Sequence, residues 1–154
     1  MTLNRRNFLS LSAATAGLVA LGGKAFAMKS EIFTGIVKGV GAGAHDVVAY
    51  FTQGKPVKGT TEFSASYKGA DWHFSSAENR DLFAANPAKY APKYGGHCAY
   101  AASKGYIAKG DPLAWTVYED KLYLNFSLQV RDIWSGDIPG NIKKADANWP
   151  KLIA

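Results

Sequence analysis

The chain has 154 residues, with 18 Lys and Arg against 12 Asp and Glu, a net charge of +6 at pH 7 and 47% apolar residues. That length suits one domain around one packed core. A single cysteine, Cys98, excludes a disulfide framework within the chain.

Arg5 and Arg6 precede Phe8 and Leu9, an apolar run continues to about Gly22, and Ala25 and Ala27 flank Phe26 as a signal peptidase requires. Residues 1–27 therefore read as a cleaved twin-arginine export signal delivering a periplasmic product. The run is shorter than the roughly 20 residues of a permanent span, so no membrane span is expected after cleavage; an uncleaved anchor is the alternative. Met28 after the cut, in place of cysteine, argues against a lipid anchor. Arg5, Arg6 and Lys24 leave with the signal, which lowers the net charge from +6 to +3. That residual charge calls for neither nucleic acid nor a membrane surface as partner.

Residues 28–45 are Gly-rich and weakly patterned, and read as an N-terminal arm that docks through Ile32, Phe33, Ile36 and Val37; residues 46–154 read as the domain. Between Glu62 and Phe74 the residues alternate, and a turn at Lys68 and Gly69 pairs Phe63 with Phe74, Ala65 with Trp72 and Ser64 with His73. Ser75 and Glu78 have capping-box spacing ahead of a helix with Leu82 and Phe83 facing inward and Asn86-Pro87 at its end. Pro87 to Gly96 is a turn-rich connector, and Cys98 to Ser103 a short helix with the thiol in its first turn. A second hairpin turns at Glu119 and Asp120, pairing Val117 with Leu122 and Trp115 with Leu124. Short helices follow over 130–134 and 142–149. No internal repeat is apparent. The expected fold is α+β: a small antiparallel sheet built from two β-hairpins with short helices packed on it.

The stretches "DVVAYF" from Asp46, "FSASYKGADWHFSSAENRDLFAANPAKYAPKYGGHCA" and "LYLNFS" resemble the YHS domain family, and within it a group of small exported (seleno)proteins. The resemblance implies a metal-handling role, since some members are attached to copper-transporting ATPases. Those members carry an early cysteine in a "CGM"-like element, which this chain lacks. It also aligns Cys98 with a position that is selenocysteine in some relatives, implying chemistry there.

Exported proteins rarely keep an idle thiol, so Cys98 is buried, bound or reactive. A soft thiolate with imidazoles suits copper or zinc, and the candidate metal ligands are Cys98, His97, His45 and His73, with copper favoured. The spacing carries no CxxC or HxxxH signature. The same thiol supports a second reading, a redox protein acting with a partner, because no resolving cysteine is present. The third is a non-catalytic interaction module with an inert cysteine. Asp71, Glu78 and Asp81 read as solvated or capping groups, and "KGVGAGAHD" lacks the context of a phosphate-binding loop. A binding protein is expected ahead of an enzyme, with a metal ion or thiol-redox partner as its counterpart.

Overall fold

The computed structural model describes residues 30–154, so the export signal expected over 1–27 lies outside the described residues. Two hairpins dominate the chain. Strands β1 (Thr60–Tyr67) and β2 (Ala70–Phe74) join through Lys68 and Gly69, both with positive φ, and β3 (Asp111–Tyr118) and β4 (Lys121–Asn125) join through Glu119 and Asp120, likewise positive. Two left-handed residues in a two-residue loop match the right-handed twist of the strands they connect. The expected pairs Ala65–Trp72, Ser64–His73, Val117–Leu122 and Trp115–Leu124 all form. Phe74 departs from expectation: a register irregularity between Thr60 and Ser64 sets it opposite Thr60 in place of Phe63. The fold is α+β, with the hairpins forming two separate two-stranded sheets.

Among the described residues six α-helices accompany them: α1 (Ala49–Thr52), α2 (Ala77–Ala85), α3 (Pro87–Tyr90), α4 (Ala99–Ser103), α5 (Leu128–Ser135) and α6 (Ile138–Leu152). The cap of α2 is Ser76, whose side chain accepts the Asn79 N–H, and not Ser75 in a box with Glu78; Ser75 is held by Asp46 instead. Of the two residues expected inward on α2, Phe83 is buried and Leu82 exposed, because a helix of nine residues presents only a narrow stripe to the hairpin. In the arm, Ile32 is buried and Phe33 half-buried, whereas Ile36 and Val37 stay exposed.

The two halves share one plan. Strand pairs in the second hairpin are those of the first shifted by 51 residues, irregularity included: Thr60–Phe74 answers to Asp111–Asn125 and Ser64–His73 to Trp115–Leu124. Ser76 and Ser127 cap the helix after each hairpin. Ahead of each hairpin stands a turn of three positive-φ residues, Ala42-Gly43-Ala44 in one and Tyr94-Gly95-Gly96 in the other, followed by a histidine in extended conformation. His45 bridges to Lys58 and His97 to Lys109; Asp46 N–H donates to Val57 O and Cys98 N–H to Ala108 O. The chain thus contains an internal structural repeat that the sequence hides, with identities surviving at scattered places such as Gly59 and Gly110, Tyr67 and Tyr118, and Arg80-Asp81 and Arg131-Asp132.

Two cores follow. Trp72, Phe74, Phe83, Tyr50 and Val47 fill the first together with Leu122 and Leu124 from β4, while Tyr123 of the same strand enters the second with Trp134, Tyr94 and Ala145. Strand β4 is therefore buried on both faces and joins the halves. Truncating a fully buried aromatic such as Phe83 or Trp134 to alanine costs about 3–5 kcal/mol.

Candidate functional site

Local backbone decides what Cys98 and His97 can do. Gly95, at φ +62, leaves no room for a side chain, since a Cβ there would run into the Glu31 carbonyl. Tyr94 adopts the same left-handed region without being glycine. Its hydroxyl donates to Asp146 Oδ1 at 2.9 Å, and burial, followed by that carboxylate, raises its pKa. The turn delivers His97 and Cys98 in extended conformation, where neighbouring side chains leave the backbone on opposite sides.

Cys98 is 2% exposed and is the N-cap of α4. Its Sγ accepts the Ala101 N–H at 3.4 Å, and its S–H donates to Asn125 Oδ1 at 3.6 Å. The same Oδ1 accepts the Tyr100 N–H at 3.0 Å, while Asn125 Nδ2 is buried without a partner among the described residues. Cys98 lines a cavity of about 270 Å³ together with Tyr100, Ala101, Ala108 and Val130, with the exposed rings of Tyr106 and Phe126 beside them.

His97 faces the other way. Its ring lies between Phe33 and Trp149, with centroids 5.5 and 5.7 Å away. Among the described residues neither ring nitrogen has a hydrogen-bond partner of good geometry, although the main chains of Ser30 and Ala108 lie close enough to favour the charged form. Burial is the larger influence and lowers the pKa below the usual histidine value.

The remaining candidates sit elsewhere. His45 Nδ1 lies 3.1 Å from the Gly43 carbonyl, beside a second cavity of about 360 Å³ lined by Lys58, Lys109 and Leu113. His73 is half-buried on β2 opposite Ser64. The structure brings none of the three imidazoles into the Cys98 cavity, and no group of three or more His, Cys, Asp or Glu side chains gathers as a metal site among the described residues.

Asp46, the counterpart of Cys98, carries a role that pattern reading missed. This fully buried carboxylate accepts the Val48 and Ala49 N–H groups on Oδ1 and the Ser75 N–H, Ser75 hydroxyl and Asn79 amide on Oδ2, at 2.7–3.2 Å. Asn125, Phe126 and Val130 were missed as well. The polar residue ending the apolar run "LYLN" was the available signal for Asn125.

The fold and site define a small α+β protein of two like halves, one centred on a buried carboxylate and the other on a buried thiol. Residues 48–94 match the YHS domain, which supports the YHS domain family. The match spans the first hairpin and α2 and ends four residues before Cys98, so the thiol lies in the half outside it. No curated protein and no solved structure matches the chain. No helix among the described residues is long and apolar enough to cross a membrane.

Proposed function

We propose that this is an exported, periplasmic YHS-domain protein of the small (seleno)protein group, acting by binding, with its ligand taken up at Cys98. What carries the reading is the place of the thiol: the chain's single cysteine lines a largely apolar cavity, where the equivalent place in the other half is closed by hydrogen bonds to Asp46. Its low exposure shields it from disulfide exchange with large partners, while the cavity admits a small ligand.

Among metals the reading favours copper(I). Zinc and copper(II) centres take three or four donors from the protein, mostly imidazole, thiolate and carboxylate, and among the described residues Cys98 is the one His, Cys, Asp or Glu side chain that lines this cavity. They do not fit a closed multi-donor centre. They fit a single soft thiolate, whose further donors would arrive with the ligand.

The test is titration of purified protein and Cys98→Ser with Cu(I), Cu(II) and Zn(II) under matched chelator competition. One equivalent of Cu(I) bound by the parent and lost in Cys98→Ser is the expected result. Cu(I) uptake that survives the substitution, or its absence in both, overturns the copper assignment; peroxide consumed in place of metal bound turns it toward thiol redox chemistry.

A further inference from the structure

In the first half of the molecule the space beside Asp46 is plugged by Ser75 and Asn79, whose side chains bond Oδ2 at 2.7 and 2.8 Å. In the second half, Phe126 and Val130 stand at the corresponding positions, 51 residues on, and cannot make those bonds. The polar plug is replaced by an apolar cavity of about 270 Å³. An apolar cavity of about 150 Å³ accepts benzene, so this one has room for one ring and a short substituent. Tyr106 and Phe126 at its rim are 55% and 46% exposed, an unusual degree for aromatic side chains that a neighbouring hollow leaves without cover.

Positive charge stands beside two of the lining rings, although neither lysine lines the cavity itself and Lys109 also borders the second cavity. Lys104 Nζ lies 5.2 Å from the Tyr100 ring centroid and Lys109 Nζ 5.3 Å from that of Phe126. Neither lysine makes an ion pair among the described residues, and no carboxylate lines the cavity. An apolar interior with two unpaired ammonium groups against its aromatic walls favours an anionic head on an apolar body over a neutral or cationic ligand.

We propose that the Cys98 cavity binds a small carboxylate bearing one apolar ring, the ring packed against Tyr100 and Phe126 and the carboxylate directed to Lys104 and Lys109. This rests on the Cys98 cavity being the ligand site and is independent of copper. Phenylacetate and its neutral amide, phenylacetamide, serve as probes, titrated calorimetrically into metal-free protein while the alkylation of Cys98 by N-ethylmaleimide is timed with and without each.

Saturable phenylacetate binding is expected, tighter than that of the amide by about ten-fold, the scale of two exposed ion pairs, together with slowed alkylation. That preference disappears in the Lys104→Ala/Lys109→Ala variant. Binding itself disappears in Phe126→Ser/Val130→Asn, which restores the polar residues of the first half, or in Val130→Phe, which fills the cavity should the double variant fail to fold. Equal binding of acid and amide overturns the carboxylate assignment and leaves the cavity as a ligand site. Absence of binding by both probes, with alkylation unchanged, overturns the proposal entirely, while copper at Cys98 is decided by its own titration.

Discussion

Cys98 occupies in the second half of the molecule the place that Asp46 occupies in the first: each follows a histidine, leaves the same left-handed turn, and accepts a main-chain N–H of the helix it precedes. The partners differ. Asp46 is met by Ser75 and Asn79, and Cys98, among the described side chains, by Asn125 alone. An aspartate put at position 98 would have backbone donors but no counterpart of the Ser75 hydroxyl or Asn79 amide. Cys98→Asp is expected to lower stability by about 2–4 kcal/mol through a poorly paired buried charge, and Cys98→Ser, which keeps the cap, by about 1 kcal/mol. Urea unfolding of both variants measures the difference; equal midpoints would show that the halves do not differ in this way.

Removing the Asp46 side chain takes the acceptor from five donors, two at the start of the short helix α1 and three around the start of α2; of these only the Ala49 N–H keeps a second partner, the Asp46 carbonyl. Asp46→Ala is expected to cost about 3–5 kcal/mol, in line with the loss of a fully hydrogen-bonded buried carboxylate. Asp46→Asn should cost less, since its amide oxygen still accepts. Thermal or urea unfolding followed by tryptophan fluorescence checks the order.

Acid is expected to weaken the metal-free protein through His97. Its folded pKa lies below the usual value of 6.5, so below pH 6.5 the unfolded chain binds a proton that the folded protein does not. Stability should therefore be full above pH 6.5 and fall as the pH drops from there toward the lower folded pKa. His97→Phe, which keeps a ring between Phe33 and Trp149, should flatten that part of the profile. A slope unchanged in the variant would assign the effect to another group.

Gly95 couples the arm to the site. Phe33 N–H donates to the Gly95 carbonyl at 2.9 Å, and a methyl group on Gly95 would strike the Glu31 carbonyl. Gly95→Ala combines that collision with a left-handed φ, and is expected to cost about 2–4 kcal/mol. Hydrogen exchange should show the amide of Phe33 losing protection ahead of those in the hairpins. Gly39→Ala is a useful control, because it has a positive φ but nothing within 4 Å of its added Cβ.

Much of the architecture was legible because it is local. Strict alternation and a two-residue turn set the pairs Ala65–Trp72 and Trp115–Leu124, and the short helix after Cys98 follows from its alanines. Phe74 escaped because an irregularity inside a strand leaves no trace in the alternation. The repeat escaped for a related reason. The backbone turn of positive-φ residues is written as Ala-Gly-Ala in one half and Tyr-Gly-Gly in the other, and the chemistry of the capping position changes from carboxylate to thiol. Pattern reading sees residues, whereas the repeat is kept mainly in φ and in strand register.

Taken alone, the sequence determined two hairpins, the helices after them, a lone thiol beside an imidazole and a resemblance to YHS domains, since each of these depends on residues a few places apart. Only the tertiary structure decided that His97 and Cys98 part company, that Asp46 is the hub of the first half, and that a cavity opens over the sulfur. Those outcomes depend on meetings such as Cys98 with Asn125, Asp46 with Asn79 and His97 with Trp149. Which distant side chains share a buried space is settled by packing the whole chain at once, and no local spacing encodes it.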